Sequence, residues 1–210
     1  MTRRAGLNRF ETAGVIANDV GGTSVYVAKG VDPARPDAAF ADALGVSALA
    51  AYQEQPILLV GGDSVPQATL DALTDLGATD ATIIGGPGAI SAGVEATLDG
   101  AVANVDRLFG TTRFATSVAI AQAGATAGMS LSTVWLGNGL NWPDALTAGP
   151  AVGHLGDTML LVHPSDLERS PEIRDFLADN TDSIDAVNIL GGVGAIAQAV
   201  QDAIAAIVSS

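Results

Sequence analysis

Along this chain, short unbroken apolar runs alternate with longer stretches in which apolar residues return every three or four positions. Pro56-Ile57-Leu58-Leu59-Val60 and Ala81-Thr82-Ile83-Ile84-Gly85 have no polar alternation, so both faces of such strands are expected to be covered, as in a parallel sheet. The pattern predicts helix 9–19, strand 24–28, helix 42–53, strand 56–60, helix 66–76, strand 81–85 and helix 91–99. It then predicts helix 113–127, strand 133–137, helix 144–155, strand 158–162, helix 171–179, strand 186–190 and helix 196–208. Ser170 before Pro171 and Glu172 is a helix start with the proline at a position whose N–H has no partner in any case. Strands alternating with helices of this length imply an α/β chain built from βαβ units.

The second half repeats the first. Gly6-Leu7-Asn8-Arg9-Phe10-Glu11-Thr12-Ala13 returns as Gly110-Thr111-Thr112-Arg113-Phe114-Ala115-Thr116-Ser117, an offset of 113 − 9 = 104. Phe40-Ala41-Asp42-Ala43-Leu44 returns as Trp142-Pro143-Asp144-Ala145-Leu146, and Ile57-Leu58-Leu59-Val60 as Met159-Leu160-Leu161-Val162, both at 102. Ile83-Ile84-Gly85-Gly86-Pro87-Gly88-Ala89-Ile90 returns as Ile189-Leu190-Gly191-Gly192-Val193-Gly194-Ala195-Ile196 at 106. Four blocks in the same order define a tandem duplication. Its junction lies near Asn104 to Arg107, giving repeats at 1–105 and 106–210. Ala101 to Val105 reads as an additional strand with no counterpart after Val208 and no full counterpart before Arg4. One copy is therefore expected to lack an edge strand unless a neighbour supplies it.

Composition narrows the function. Cysteine is absent, which excludes disulfides and cysteine-based metal or redox sites. The net charge is -14 and Lys29 is the single lysine, so nonspecific nucleic-acid binding is disfavoured. No apolar run reaches the roughly 20 residues of a membrane span, and the start MTRRAGLNRFETAG lacks the apolar core of a signal peptide. Membrane insertion is not expected. The acidic, lysine-poor balance fits either a high-GC genome or a saline habitat.

Catalytic motifs are missing. There is no G-x-S-x-G elbow, His154 and His163 are not spaced as a metal pair, and no Asp-x-Asp triplet is present to hold magnesium. No catalytic residue, metal or cofactor is assigned.

The turn Gly85-Gly86-Pro87-Gly88-Ala89-Ile90-Ser91 joins a strand to a helix, where free N–H groups and the helix dipole favour an anion. It reads equally as a sharp turn with glycines at positive φ and Ser91 capping the helix. On the first reading Gly85, Gly86, Gly88 and Ser91 form an anion-binding turn. Arg9 and Arg113 recur at the start of the first helix of each copy, where a guanidinium is suited to a polymer's carboxylate or phosphate. They are equally placed to pair internally with Asp42 and Asp144, which also recur and are alternatively helix N-caps. Asn138 and Trp142 fall on the loop after a strand's carboxyl end, where α/β sheets bind ligands and an aromatic ring can stack on a sugar or pack locally.

Asn8-Arg9-Phe10-Glu11-Thr12-Ala13, Trp142-Pro143-Asp144-Ala145-Leu146-Thr147-Ala148-Gly149-Pro150 and Ile83-Ile84-Gly85-Gly86-Pro87-Gly88-Ala89-Ile90-Ser91 together resemble the cell wall binding type 2 repeat. The resemblance covers nearly the whole chain as two repeats. It implies Rossmann-like or toprim-like α/β repeats with parallel sheets and flanking helices, holding anionic wall polysaccharide without covalent attachment, usually in sets of three. Here there are two, and the copies differ: Ala115 replaces Glu11, Val193 replaces Pro87, and Ala41 stands where copy two has Pro143. The expected polymer-contacting set is Asn8, Arg9, Glu11, Asp42, Arg113, Asn138, Trp142 and Asp144.

Two functions follow from this reading. One is a non-catalytic binding or anchoring module for an anionic wall polysaccharide or surface glycan, placing the chain at the cell surface or wall. The other is a structural or decoration protein of a virion or surface layer, whose partners are neighbouring subunits. Either way a homo-oligomer is expected, because two repeats leave uncovered a face that a set of three would close.

Overall fold

The computed structural model describes residues 1–31, 40–141 and 143–209. These form two compact units: residues 1–43 with 53–108, and residues 44–52 with 109–209.

In the first unit, α1 (Arg9–Val20) precedes β1 (Ser24–Lys29), and α2 (Ala41–Tyr52) begins here. The unit continues through β2 (Ile57–Val60), α3 (Gln67–Leu76), β3 (Asp80–Ile84), α4 (Ala92–Asp99) and β4 (Asn104–Leu108). The sheet is wholly parallel in the order β2-β1-β3-β4. Its core is built from aliphatic and small residues: Val25, Val27, Leu58, Val60 and Ile83 on the strands, met by Ala17 of α1, Ala72 and Leu73 of α3, and Val94 and Leu98 of α4. Alanine in the helices lets them approach the sheet closely, which suits a chain with so few aromatics. Tyr26 directs its hydroxyl to Gln53 Oε1, and burial pushes its pKa up to about 12.

The expected strand over 101–105 lies three residues further on, as β4. Ala101 and Val102 prolong the turn of α4, both donating their N–H to Leu98 O at 2.8 and 3.0 Å, and Val102 is drawn into the core. Pairing with β3 begins only at Asn104.

The second unit contains α5 (Arg113–Ala127), β5 (Ser130–Asn138), α6 (Pro143–Leu155), β6 (Asp157–Val162), α7 (Pro171–Asp179), β7 (Ala186–Ile189) and α8 (Gln198–Val208). Its parallel sheet has three strands among the described residues, in the order β6-β5-β7. Residues 44–52 of α2 also pack in this unit. Gly149 and Gly153 of α6 have no room for a Cβ: one at 149 would overlap Ser47, and one at 153 would overlap Ala48 O and stand 2.8 Å from Ala51 Cβ. The small residues of these helix faces thus serve the packing of α2 against α6.

Candidate functional site

In a sheet of order β2-β1-β3, the chain moves from β1 to β2 on one side and then returns past β1 to β3 on the other, and a crevice opens at the carboxyl ends of β1 and β3. The second sheet has the same switch between β5 and β7. The repeated residues gather at these two places.

The amino end of α1 is fixed by a capping box. Asn8 Oδ1 accepts from the N–H of Phe10 and Glu11 at 2.9 and 3.0 Å. Glu11 accepts in return from Leu7 N at 2.7 Å and Asn8 Nδ2 at 2.9 Å. Asn8 and Glu11, both in the expected polymer-contacting set, are therefore engaged in holding the helix start. Ala115 cannot do this in α5, where Thr112 Oγ1 accepts from Ala115 N at 3.0 Å and donates to Glu172 Oε1 at 2.8 Å. Both copies share an earlier anchor, Gly6 N to Thr12 Oγ1 and Gly110 N to Thr116 Oγ1, each 3.0 Å. The turns are tight enough that a Cβ on either glycine would overlap residue 11 or 115.

With the helix start fixed, Arg9 Nη1 donates to Gly30 O at 2.6 Å and Arg113 Nη1 to Gly139 O at 2.7 Å. Gly30 and Gly139 directly follow β1 and β5, so each arginine ties its helix to the strand end beside the crevice. Neither Arg9–Asp42 nor Arg113–Asp144 occurs among the ion pairs of the described residues, which are Arg4–Asp19, Arg107–Glu95, Arg174–Glu168 and Arg174–Asp175. At each corner the guanidinium makes a carbonyl contact, which uses one edge of the group. Arg9 is solvent-exposed and stands 5.8 Å from the centroid of the Phe40 ring.

Asp42 and Asp144 lie in the first turns of α2 and α6, not at N-caps. Each carboxylate reaches across the crevice to the glycine turn after the neighbouring strand. A Cβ on Gly85 would overlap Asp42, and one on Gly191 would overlap Asp144. Both glycines have positive φ, 108° and 94°. The turns close on themselves: Ala89 N and Ile90 N donate to Gly86 O, and Ser91 N donates to Gly62 O at 2.8 Å. Ser91 occupies the N-cap position of α4, but its side chain makes no capping bond. A carboxylate thus lies against Gly85, and the N–H groups of Gly85, Ala89, Ile90 and Ser91 are engaged within the protein.

Asn138 is buried, and its amide is used at both ends. Nδ2 donates to Ala195 O at 2.7 Å, while Oδ1 accepts from Leu140 N and Asn141 N at 2.8 and 3.1 Å. It pins the loop after β5 to the turn after β7. Trp142 lies outside the described residues. Sequence reading missed the role of Arg107, which it noted only at the junction of the repeats. Its side chain is only 9% exposed, and it donates to Gly85 O at 2.7 Å, Ile90 O at 3.2 Å and Glu95 Oε2 at 2.9 Å, clamping the first glycine turn. Two of its three partners are carbonyls, which leave no mark in a sequence.

Among the described residues, no group of three or more His, Asp or Glu side chains could hold a metal ion. No helix among them is long and apolar enough to cross a membrane. Each unit instead presents a rigid corner at its sheet switch, with an arginine on one side and a carboxylate on the other.

Tandem parallel α/β units with matched corners define a duplicated α/β module. The model of the family Cell wall binding domain 2 matches residues 3–95 and 107–201, and the chain belongs to that family. It is 28% identical over 166 residues to N-acetylmuramoyl-L-alanine amidase LytC of Bacillus subtilis, a match covering 79% of this chain and 31% of that protein. Among solved structures, Cwp6 from Clostridium difficile aligns with a TM-score of 0.82 at 26% identity, covering 97% of this chain and 31% of that one. Cwp8 from the same organism shares the fold, with a TM-score of 0.75 at 22% identity over 96% of this chain and 33% of that one. The chain thus spans about a third of the length of these relatives.

Proposed function

We propose that this chain is a non-catalytic module that holds an anionic polysaccharide of the cell wall or a surface glycan, and so resides at the wall or cell surface. The observation that carries the reading is the repeated arginine corner. Arg9 and Arg113 each use Nη1 to hold a glycine carbonyl, which fixes the guanidinium at a strand's carboxyl end. The remaining N–H groups of the fork can take a carboxylate or phosphate. In a chain of net charge -14, an anionic ligand is repelled at long range and held only where local positive charge prevails within a Debye length. Arg4 and Arg107 already have carboxylate partners, which leaves Arg9 and Arg113 as the matched contact points. Nucleic acid and bilayer are not partners on this reading, and no cofactor takes part.

The test is sedimentation with purified walls. The parent should be retained. Arg9→Gln with Arg113→Gln should lower retention about tenfold or more, the loss of two charge-assisted contacts. Retention unchanged by the double substitution would reject the arginine corners. A parent that ignores walls and glycans but assembles with itself would instead place it among the subunits of a virion or surface layer.

A further inference from the structure

We propose that the open edge of β7 is completed in trans by the amino-terminal segment Thr2–Arg4 of a second copy, which adds as a parallel fourth strand and delivers Arg3 to the second glycine turn. This gives the expected homo-oligomer a specific interface, and it does not depend on wall binding.

The first unit shows what covers this edge. There β4 lies beside β3 with Ala81 opposite Val105 and Ile83 opposite Arg107, and Gly85 N donates to Leu108 O at 2.9 Å. Arg107 then reaches Gly85 O and Ile90 O. At the offset of 106, Ala81, Ile83, Gly85 and Ile90 correspond to Val187, Ile189, Gly191 and Ile196. In the second unit no fourth strand lies at these positions among the described residues. Ala81 and Ile83 are buried, whereas Val187 and Ile189 are only partly covered. Leu190 N donates to Leu136 O on β5, so by alternation the N–H and C=O groups of Val187 and Ile189 face the open side. No hydrogen bond to Gly191 N, Gly191 O or Ile196 O occurs among the described residues. A groove of about 290 Å³ runs along this edge, lined by Val187, Ile189, Gln201, Ile204 and Val208.

The occupant is identified by the other end of the repeat. β4 directly precedes α5, and the residues in that place before α1 are Thr2-Arg3-Arg4-Ala5-Gly6, matching Asp106-Arg107-Leu108-Phe109-Gly110 at the offset of 104. Both segments leave their helix through the same glycine-to-threonine anchor, Gly6 to Thr12 and Gly110 to Thr116. Yet Arg107 is buried in its turn, while residues 1–6 are exposed and without regular structure. Arg3 has the length and charge to fill at Gly191 O and Ile196 O the place that Arg107 fills at Gly85 O and Ile90 O. One contact differs: Glu95, the carboxylate partner of Arg107, corresponds to Gln201, so the trans arginine meets a neutral amide. The edge and the strand lie on different parts of the chain, so the contact is head-to-tail.

Sedimentation velocity of the whole chain over a concentration series tests this without any wall material. Association should be present at about 0.1 mM, where a Kd of about 10 μM leaves most chains bound. Arg3→Gln should weaken it about tenfold or more. Gln201→Glu, an exposed change that restores the pairing of the first unit, should tighten it several-fold. Gln201→Lys should weaken it, and Arg3→Glu combined with Gln201→Lys should recover it. Because positions 3 and 201 are both exposed, their variants should fold as the parent does. A parent monomeric at about 0.1 mM, or association indifferent to all four variants, overturns the proposal.

Discussion

Asp144 lies so close to Gly191 that a single added methyl group at position 191 would overlap its carboxylate, and the same backbone sits at a φ of 94°. Two separate penalties therefore bear on Gly191→Ala, one of conformation and one of overlap. The first is about 1–2 kcal/mol for a non-glycine residue at such a φ, and the second adds to it. Gly191→Ala should lower stability by about 2–4 kcal/mol in denaturant titration. Gly192→Ala, whose Cβ would meet nothing within 4 Å, should change it by less than about 1 kcal/mol. A Cβ at position 191 would also stand 2.7 Å from Ala195 Cβ, so combining Gly191→Ala with Asp144→Ala should recover only the carboxylate's share of the overlap, giving a coupling of about 1 kcal/mol. Strict additivity would show that the carboxylate simply swings away.

Arg107 should be the arginine on which the first unit's stability most depends. It is nearly buried and donates to two carbonyls and one carboxylate. Arg107→Gln leaves Gly85 O and Ile90 O without their cation and should lower unfolding free energy by about 2–3 kcal/mol. Glu95→Gln removes only the half-exposed partner and should lower it by less than about 1 kcal/mol. Equal effects from the two would mean that the ion pair, not the carbonyl clamp, carries the energy.

Much of the fold is legible in the sequence because strand and helix periods are local. α5 and α7 run over the residues expected, and the repeat offsets put Arg9 with Arg113 and Asp42 with Asp144 at equivalent corners. What these residues touch is not legible. Arg9 and Arg113 find glycine carbonyls, which every residue type possesses, so nothing in the side-chain pattern marks them as partners. Asn138 reads as a loop ligand but is buried by the return of the turn after β7, from 57 residues away. β4 was misplaced because Ala101 and Val102 suit a strand and a helical turn equally, and the carbonyl of Leu98 decides between them.

His163 should give the chain a pH-sensitive limb. Its ring is buried edge-on to Phe114, with centroids 6.1 Å apart, and Nε2 has no hydrogen-bond partner among the described residues. Desolvation is the main cause that lowers its pKa from 6.5, with the nearby Arg169 charge adding to it and Asp166 opposing. The folded state therefore favours neutral imidazole, while the unfolded chain takes up a proton first as pH falls. Stability from this group is complete above about pH 6.5 and declines as pH drops towards the depressed folded value. Melting temperatures of the parent and His163→Gln, measured from pH 7.5 downwards, should differ in slope only below about pH 6.5. Parallel curves would mean that the ring reaches water when protonated.

The acidic composition makes a last prediction about salt. With 23 acidic and 9 basic residues, the charge of -14 is spread over a small protein, and most of its aspartates are exposed. Like charges at these spacings repel across water, and the unfolded chain relieves the repulsion by expanding. Salt shortens the range of that repulsion from about 10 Å at 0.1 M to about 3 Å at 1 M, so it should favour the compact state. The ion pairs Arg4–Asp19, Arg174–Glu168 and Arg174–Asp175 are too exposed to offset this, and the buried end of Arg107 is screened least. The melting midpoint should therefore rise by several degrees between low and molar potassium chloride, consistent with about 1–2 kcal/mol of relieved repulsion. The comparison belongs with potassium chloride and not sulfate, because sulfate also strengthens apolar burial and would raise the midpoint of almost any fold. A midpoint that stays flat would mean that the exposed carboxylates are already far enough apart to be solvated singly, and would assign the aspartate-rich surface to genome composition and not to a saline habitat.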